Sequence, residues 1–577
     1  MKNWEVAAIL KRIAALLALK EENDYKASAY HRAARVILEL PVAVEKMVQE
    51  DRLKELRGIG SVLDARIKEI VLTGTSSLLE ELETEIPEEL LALSAFPGIG
   101  PKRARLLYLK LKPDSLADIE NAVYAGKVRQ IPGMGTVVEK SILKGLEQYR
   151  TQPLNLSLST ANFAAKRITA AIENFAGTKA CFTAGALRRG EESLNKVELI
   201  ICYLYPAFFI DKILKMPFVR EIITQTKNFL RFKTLYGLDV CLYITDKKKV
   251  LPALWLAYTG TCRHLSRLKK IAESKKLFLA PDGLYSTDGK PISIENEEGI
   301  YKHLGLPFVP PEIRYDQGEI EAASAGKLPA LVEHEQIKGD LHLHSNWSDG
   351  RNSICELAQE ALQRGYSYIA ITDHSRSLSI ARGLTVKKIK EQIDFIDRLA
   401  DEIKGIQIFK GIEVDILKNG ELDLPDSILK ELDIVIASIH SGFNQSEEEI
   451  MHRLFTAMNN PYVSIIGHPT GRLLTRRSGY AIDIEKFLQK AKETNTVVEI
   501  NASPDRLDLG SEYVRKGKEI GVVFAINTDA HSTQGMVDLQ FGVTVARRGW
   551  LEKNNIINTL PLEKMCQFVR TEKANRG

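Results

Sequence analysis

Residues 336–577 hold six short runs that end in side chains able to bind a metal. They are "GDLHLHS", "YIAITDHS", "IQIFKGIEVDIL", "DIVIASIHS", "VSIIGHPT" and "VVFAINTDAHS". They supply His342, His344 and nearby Asp349, then His374, Glu413, His440, His468, Asp529 and His531. Six of the chain's 11 histidines belong to this set. In "HLH" and "DAH" the two-residue spacing points both side chains to one face of a strand. Imidazole and carboxylate donors suit Zn²⁺, Mn²⁺ or Fe²⁺ better than Ca²⁺ or a thiolate-selective metal. Nine donors exceed what one tetrahedral or octahedral ion needs. Two or three divalent ions, with Mn²⁺ or Zn²⁺ as the first choice, are therefore expected to share the site, bridged by a carboxylate. Such sites hydrolyse phosphoesters, because the ions activate a water and screen the phosphate. One strand-end histidine is more often a hydrogen-bonded polar residue, and only the convergence of six strand ends argues otherwise. Asp415, two residues after Glu413, and Arg382 in "SIARGL" are candidates for supporting a ligand or clamping substrate, although a surface role fits them equally well.

A seventh run, "VVEINAS", has strand character but no ligand at its end. Each run precedes a helical segment, and alternation of this kind implies a parallel sheet. Seven such units suggest a closed barrel with its site at the C-terminal ends of the strands. Residues 151–315 also mix helix and strand, with "KACFTAG", "VELIICYLY" and "DVCLYIT" as strands and the basic "TGTCRHLSRLKKIAESKKL" as a helix. Residues 316–335, rich in Gly, Ala, Ser and acidic side chains, read as a linker. Residues 1–150 read as nearly all helical, punctuated by "LRGIG", "FPGIG" and "IPGMG". Their paired glycines are Gly58 and Gly60, Gly98 and Gly100, and Gly133 and Gly135. Each pair permits a tight turn, and the next helix opens with free N–H groups that can cradle a phosphate. One such turn is an ordinary helix connector, whereas three form a loose repeat suited to binding DNA backbone.

The bulk numbers agree. A chain of 577 residues is too long for one core. No apolar run reaches the roughly 20 residues needed to span a bilayer, so no membrane role is expected. The first 23 residues read as an amphipathic helix rather than a signal peptide. Six scattered cysteines without a CxxC pair fit a reducing cytoplasm. The net charge of +4 hides a basic excess in the middle third, which favours a polyanionic partner.

"GDLHLHSNWSDG", "ITDHS", "GIEVDIL", "SIHSGF", "GHPTGR" and "NTDAHS" resemble the motifs of the PHP phosphoesterase family. That resemblance implies a distorted seven-stranded barrel holding three metals, and all nine ligand positions match. The first 320 residues resemble a family X DNA polymerase: helix-hairpin-helix motifs followed by a nucleotidyltransferase-like palm and thumb. Together the parts resemble the bacterial PolX family, a polymerase fused to a PHP 3′–5′ exonuclease.

The polymerase half departs from its pattern. The family's Gly-Ser motif and Arg-Arg-Gly run appear as "GALRRG", with Ala186 replacing the serine while Arg188 and Arg189 remain as candidate DNA-binding residues. The family's Asp-x-Asp pair falls on Lys196 and Glu198, and its third aspartate on Cys241, with Asp239 two residues away. Two Mg²⁺ ions beside a triphosphate need several carboxylate oxygens, and Lys196 puts a cation among them. Glu198 is therefore a vestigial catalytic position, and Mg²⁺ in the palm is not expected. Some family members use a lysine Schiff base to excise a 5′-deoxyribose phosphate, and that position here is Arg66, which cannot serve as the amine. The expected protein is a monomeric, DNA-binding, metal-dependent exonuclease acting at gapped, nicked or 3′ ends, with polymerase activity lost. The alternatives are an active polymerase with proofreading and a small-molecule phosphatase of the histidinol-phosphatase type.

Overall fold

The computed structural model describes residues 3–20, 24–38, 40, 44–56, 58–86, 99–113, 116–151, 156–216, 218–234, 238–474 and 477–571. The chain forms two compact units. Residues 1–155 make up one, and residues 156–577 the other apart from the short segments 216–220 and 235–237.

The first unit is helical around one apolar core that includes Ile9, Ile13, Leu53, Ile67, Leu107, Val128 and Ile142. Two of its glycine turns are built alike. A 3₁₀ turn, Leu53–Glu55 or Val128–Gln130, leads into an extended Leu56 or Ile131. The chain then reverses through Gly58 (φ 93°) or Gly133 (φ 80°), a left-handed conformation that side chains resist. Each turn closes with an N–H···O bond of 3.0 Å, from Ile59 to Leu56 and from Met134 to Ile131. The helices Ser61–Thr73 and Thr136–Thr151 follow.

In the second unit, a five-stranded sheet comes first. Its strands are β1 (Thr178–Ala184), β2 (Val197–Tyr203), β3 (Val219–Gln225), β4 (Phe229–Thr234) and β5 (Asp239–Thr245), in the order β1-β2-β5-β4-β3. β2 is buried along its whole length, as its run of apolar residues requires. The helices Leu251–Thr259 and Cys262–Ser274 lead from this palm into the thumb-like region.

The C-terminal strands are β6 (Gly339–Leu343), β7 (Tyr368–Ile371), β8 (Gln407–Asp415), β9 (Ile434–Ser438), β10 (Ile465–Ile466), β11 (Val497–Asn501) and β12 (Phe524–Asn527). They run parallel in sequence order, as strand–helix alternation predicts. The seam between β6 and β12 closes without a full ladder, which distorts the barrel. A Leu343–Ala530 bridge meets there, and the Asn558 amide donates to Gly339 O (3.0 Å) and Ile526 O (2.9 Å).

Residues 316–335, expected as a linker, form a packed connector. They contain the helix Glu319–Ser324, and Val332 N–H donates to Leu551 O at 2.9 Å. The apolar residues that the segment's acidic composition conceals, Ile320, Ala323 and Leu331, join a core shared by the thumb and Trp550.

Candidate metal centre

The strand ends bring the nine expected ligands to one mouth. Glu413, fully buried on β8, stands at its centre. Its Oε1 lies 2.9 Å from His468 Nε2 and 3.3 Å from His440 Nε2. Its Oε2 lies 2.7 Å from His374 Nδ1, 3.6 Å from His342 Nε2 and 3.7 Å from His344 Nε2. Asp529 Oδ1 sits 3.0 Å from His344 Nε2, and Asp349 Oδ1 sits 3.3 Å from His531 Nε2. Three overlapping groups have metal-ligand spacing: His344, Asp349, His374 and His531; His342, His344 and Asp529; and His374, Glu413 and His440. His468 joins them through Glu413.

The backbone is held out of its preferred conformations to make this convergence. His468 and Asp529 have φ of 28° and 55°, costly for non-glycine residues and typical of functional sites that the surrounding structure over-determines.

The donor set fits divalent cations. Among the described residues, buried His342 Nε2, both nitrogens of His344, His374 Nδ1, His468 Nδ1 and Glu413 Oε2 lie near charged neighbours but make no hydrogen bond of good geometry. Stranding so many buried polar atoms at one place would be prohibitively costly unless something else paired with them. Electrostatics point the same way. Burial opposes the Glu413 charge, yet His440, His374 and His342 hold its carboxyl well below the usual range. Burial, with His531 and His374 nearby, pushes His344 down to about 3, so it offers neutral imidazole nitrogens.

Residues behind the ligands orient them. Asp415 Oδ1 accepts from His440 Nδ1 at 2.7 Å, so it supports a ligand rather than lying on the surface. Arg382 is exposed, in a left-handed turn (φ 58°), and no described contact joins it to the cluster. Glu499 on β11 escaped the sequence reading. Its Oε1 accepts from His342 Nδ1 at 2.7 Å and from the Asn527 amide at 2.9 Å. Its Oε2 accepts from His468 N at 2.7 Å and from the Asn501 amide at 3.1 Å. The signal was present in "VVEIN", since a lone acid inside a buried parallel strand needs a partner. Asp373 was missed as well. It accepts from Ser345 N (2.8 Å) and Gln392 Nε2 (2.6 Å) and ties the loop that carries Asp349.

The palm positions present a different picture. Glu198 is buried and capped by Lys196 Nζ at 2.8 Å and by the Tyr243 hydroxyl at 3.1 Å. Asp239 is held by Arg231 through contacts of 2.6 and 3.1 Å. Burial pushes the Cys241 thiol up to about 11, so it stays a neutral thiol. Among the described residues, the groups able to hold a metal all lie in the barrel.

Arg188 and Arg189, expected to contact DNA, have partners within the protein. Arg188 donates to both Glu297 oxygens (2.6 and 3.2 Å) and stacks 3.5 Å over Trp255. Arg189 donates to Thr259 O at 2.6 Å and also pairs with Glu191. Their guanidiniums are taken up by internal partners, several of them far away in sequence, which a local motif cannot reveal. Of the turn glycines, Gly58, Gly60, Gly100, Gly133 and Gly135 have open space at their α-carbons, as close approach of a phosphate requires, while Gly98 lies outside the described residues. Arg66 is paired with Glu69, and Lys68 with Asp51 and Asp64. No described helix is long and apolar enough to cross a membrane.

Comparison with known proteins agrees with this division. Residues 1–76 match the family model of a helix-hairpin-helix domain, and 50–114 and 90–148 match a SAM-like helix-hairpin-helix tandem. Residues 254–315 match a DNA polymerase beta thumb, and 340–503 a PHP domain. A probable phosphatase of Thermoanaerobacter sp. is 34% identical over 41% of this chain and 96% of its own length. Another, from Caldanaerobacter subterraneus, is 37% identical over 41% of this chain and 93% of its own length. The DNA polymerase/3′-5′ exonuclease PolX of Bacillus subtilis is 38% identical over 99% of this chain and 100% of its own length. With that identity running from the hairpins through the thumb to the metal mouth, the chain belongs to the PolX family.

Proposed function

We propose that this protein is a metal-dependent 3′–5′ exonuclease and 3′-end-processing phosphoesterase of DNA repair, in which templated synthesis is lost or severely weakened. The contrast between the two candidate sites carries this reading. The barrel gathers nine convergent donors with orphaned buried atoms. The palm's two remaining carboxylates are each neutralised by a neighbouring cation, Glu198 by Lys196 and Asp239 by Arg231.

Two or three divalent ions, Mn²⁺ or Zn²⁺, fit the three overlapping groups. Ions held by these residues would supply a water of lowered pKa and screening of a phosphoester's charge. Glu413 and Asp529 hold negative charge at the centre, while Asp415 and Glu499 fix His440 and His342 so that Nε2 of each faces inward. The hairpin turns and the exposed basic residues Arg263, Lys269 and Lys270 of the thumb helix support binding of gapped, nicked or 3′-ended DNA, and the acting form proposed is a monomer. Abasic-site cleavage belongs to the same chemistry. The phosphatase relatives favour a second reading, hydrolysis of a small phosphomonoester, against which the tandem hairpins weigh.

The test is degradation of labelled single-stranded and gapped DNA with Mn²⁺ by wild type, His344→Ala and Glu413→Ala. Wild type should release nucleotides and both variants should not. Intact DNA alongside rapid hydrolysis of histidinol phosphate would overturn the proposal in favour of the second reading.

A further inference from the structure

One path of partly buried polar contacts runs from the palm to the barrel mouth. It begins at Glu192, two residues after the Arg-Arg-Gly run. Its Oε2 accepts from Arg472 Nη2 at 2.7 Å, and its Oε1 from Ser511 N at 2.7 Å. Burial opposes the charge on Glu192, but Arg472, the Ser511 N–H and Arg548 hold its carboxyl below the usual range. The two surfaces meet tightly here: a β-carbon on Gly190 would overlap the Thr544 methyl. Arg548, on the barrel side, donates to Arg189 O at 3.1 Å and to Ser511 Oγ at 3.2 Å.

Arg472 directs its other donors to one loop. Its Nε donates to Arg506 O at 3.0 Å and its Nη2 also donates to Leu507 O. That loop is otherwise tight: Arg506 N and Leu507 N both donate to Ser503 O, at 2.8 and 3.0 Å. Its side chain of interest is Arg506. The guanidinium lies 3.6 Å from Asp529 Oδ2, is about one-fifth exposed, and depresses His468 after burial has already done so. An arginine at this mouth whose one carboxylate contact among the described residues is a loose one retains a planar fork of donors for a phosphate.

We propose that the palm braces the nuclease mouth: Glu192 locks Arg472, Arg472 holds the 506–507 backbone, and that backbone aims the Arg506 guanidinium at the substrate phosphate beside Asp529. Arg506 is the substrate-touching group, while Arg472 and Glu192 are positioning residues. The inference rests on the phosphoesterase reading of the barrel. It gives a palm with no free carboxylate pair a structural task in the reaction of the neighbouring domain.

The test uses full-length Arg506→Gln, Glu192→Gln and the double variant, with Arg506→Lys as a milder change. Two quantities are measured: equilibrium binding of thymidine 5′-monophosphate by calorimetry, and kcat and KM on single-stranded DNA with Mn²⁺. Arg506→Gln should weaken nucleotide binding by about ten- to a hundredfold, the scale of a charged hydrogen bond. Glu192→Gln should weaken it several-fold, with unchanged metal content. The double variant should match Arg506→Gln alone, because both changes act through one guanidinium. Multiplying effects, or a Glu192→Gln protein that binds nucleotide like wild type, would overturn the brace. Should Arg506→Gln fail to fold, wild-type nucleotide binding by Arg506→Lys would also overturn it, since the ammonium is a point charge without the fork. Wild-type protein without Mn²⁺-dependent hydrolysis would instead sink the nuclease reading, and the binding arm would still decide whether Glu192 and Arg506 are coupled.

Discussion

Glu499→Gln tests how the barrel prepares its histidines. The carboxylate receives four donors: His342 Nδ1, His468 N and the amides of Asn501 and Asn527. It thereby holds a proton on His342 Nδ1 and leaves Nε2 as the nitrogen that faces the cluster. Glutamine keeps the shape but offers one acceptor oxygen and one amine. If the oxygen stays on His342, the amine faces the His468 N–H and the Asn501 amide, donor against donor. Leaving a buried donor unpaired costs about 1–3 kcal/mol. A loss of roughly 2 kcal/mol falls on the pair that positions His468 and His342, which corresponds to about thirtyfold in affinity. That lies within the roughly 10–100-fold range for groups that orient metal ligands. The assay is competition for Mn²⁺ and Zn²⁺ against a chelator of known affinity, with bound metal counted after dialysis. An affinity within twofold of wild type would refute the claim that Glu499 sets the ligand geometry.

Other consequences are as direct. Arg188→Lys should lower thermal stability by about 1–3 kcal/mol through loss of the paired Glu297 bonds and the Trp255 stack, while DNA affinity stays unchanged; weaker DNA binding at unchanged stability would restore the DNA-clamp reading. Gly190→Val should cost about 2 kcal/mol or more, from the left-handed backbone (φ 67°) and the Thr544 overlap, read as a lower Tm; an unchanged Tm would show that the palm and barrel surfaces are not tightly packed there. In metal-free protein, burial opposes charge on His440 and His531. Glu413 and Asp415 nevertheless hold His440 up at about 10, and Asp349 and Asp529 hold His531 up at about 9. Both folded values lie above the unfolded value of about 6.5, so their stabilisation is complete below that pH and is lost as pH rises through 9 and 10. Metal must displace the same protons. The Tm in EDTA should therefore fall between pH 7 and 10 while Mn²⁺ affinity rises toward pH 9; a pH-independent affinity would contradict this.

Most candidate ligands were legible because they stand at or just beyond the C-terminal part of a short apolar run, so residue type and strand position coincide at His342, His374, His440 and Asp529. Its supporting groups were harder to see. Asp415 stands two residues from a ligand and was noticed, whereas Glu499 acts on His342 from a strand 157 positions away. The internal partners of Arg188 and Arg189 were hidden for the same reason. Their motif is local, but Glu297 lies 109 residues downstream of Arg188 and the interaction exists only after folding. The segment 316–335 looked like a tether because composition averages over Ile320 and Leu331, whose burial depends on Trp550. The paired hairpin turns were legible, since Gly58 and Gly133 must occupy φ values that glycine alone adopts cheaply.

The central claim is that chemistry resides in the barrel and that the palm does not synthesise DNA. It is tested most directly by incubating a 5′-labelled primer on a gapped template with deoxynucleotides and Mn²⁺, using wild type and Glu413→Ala. The account predicts that wild type shortens the primer and Glu413→Ala leaves its length unchanged. Primer lengthening by Glu413→Ala that disappears when Glu198 is also changed to Ala would contradict it.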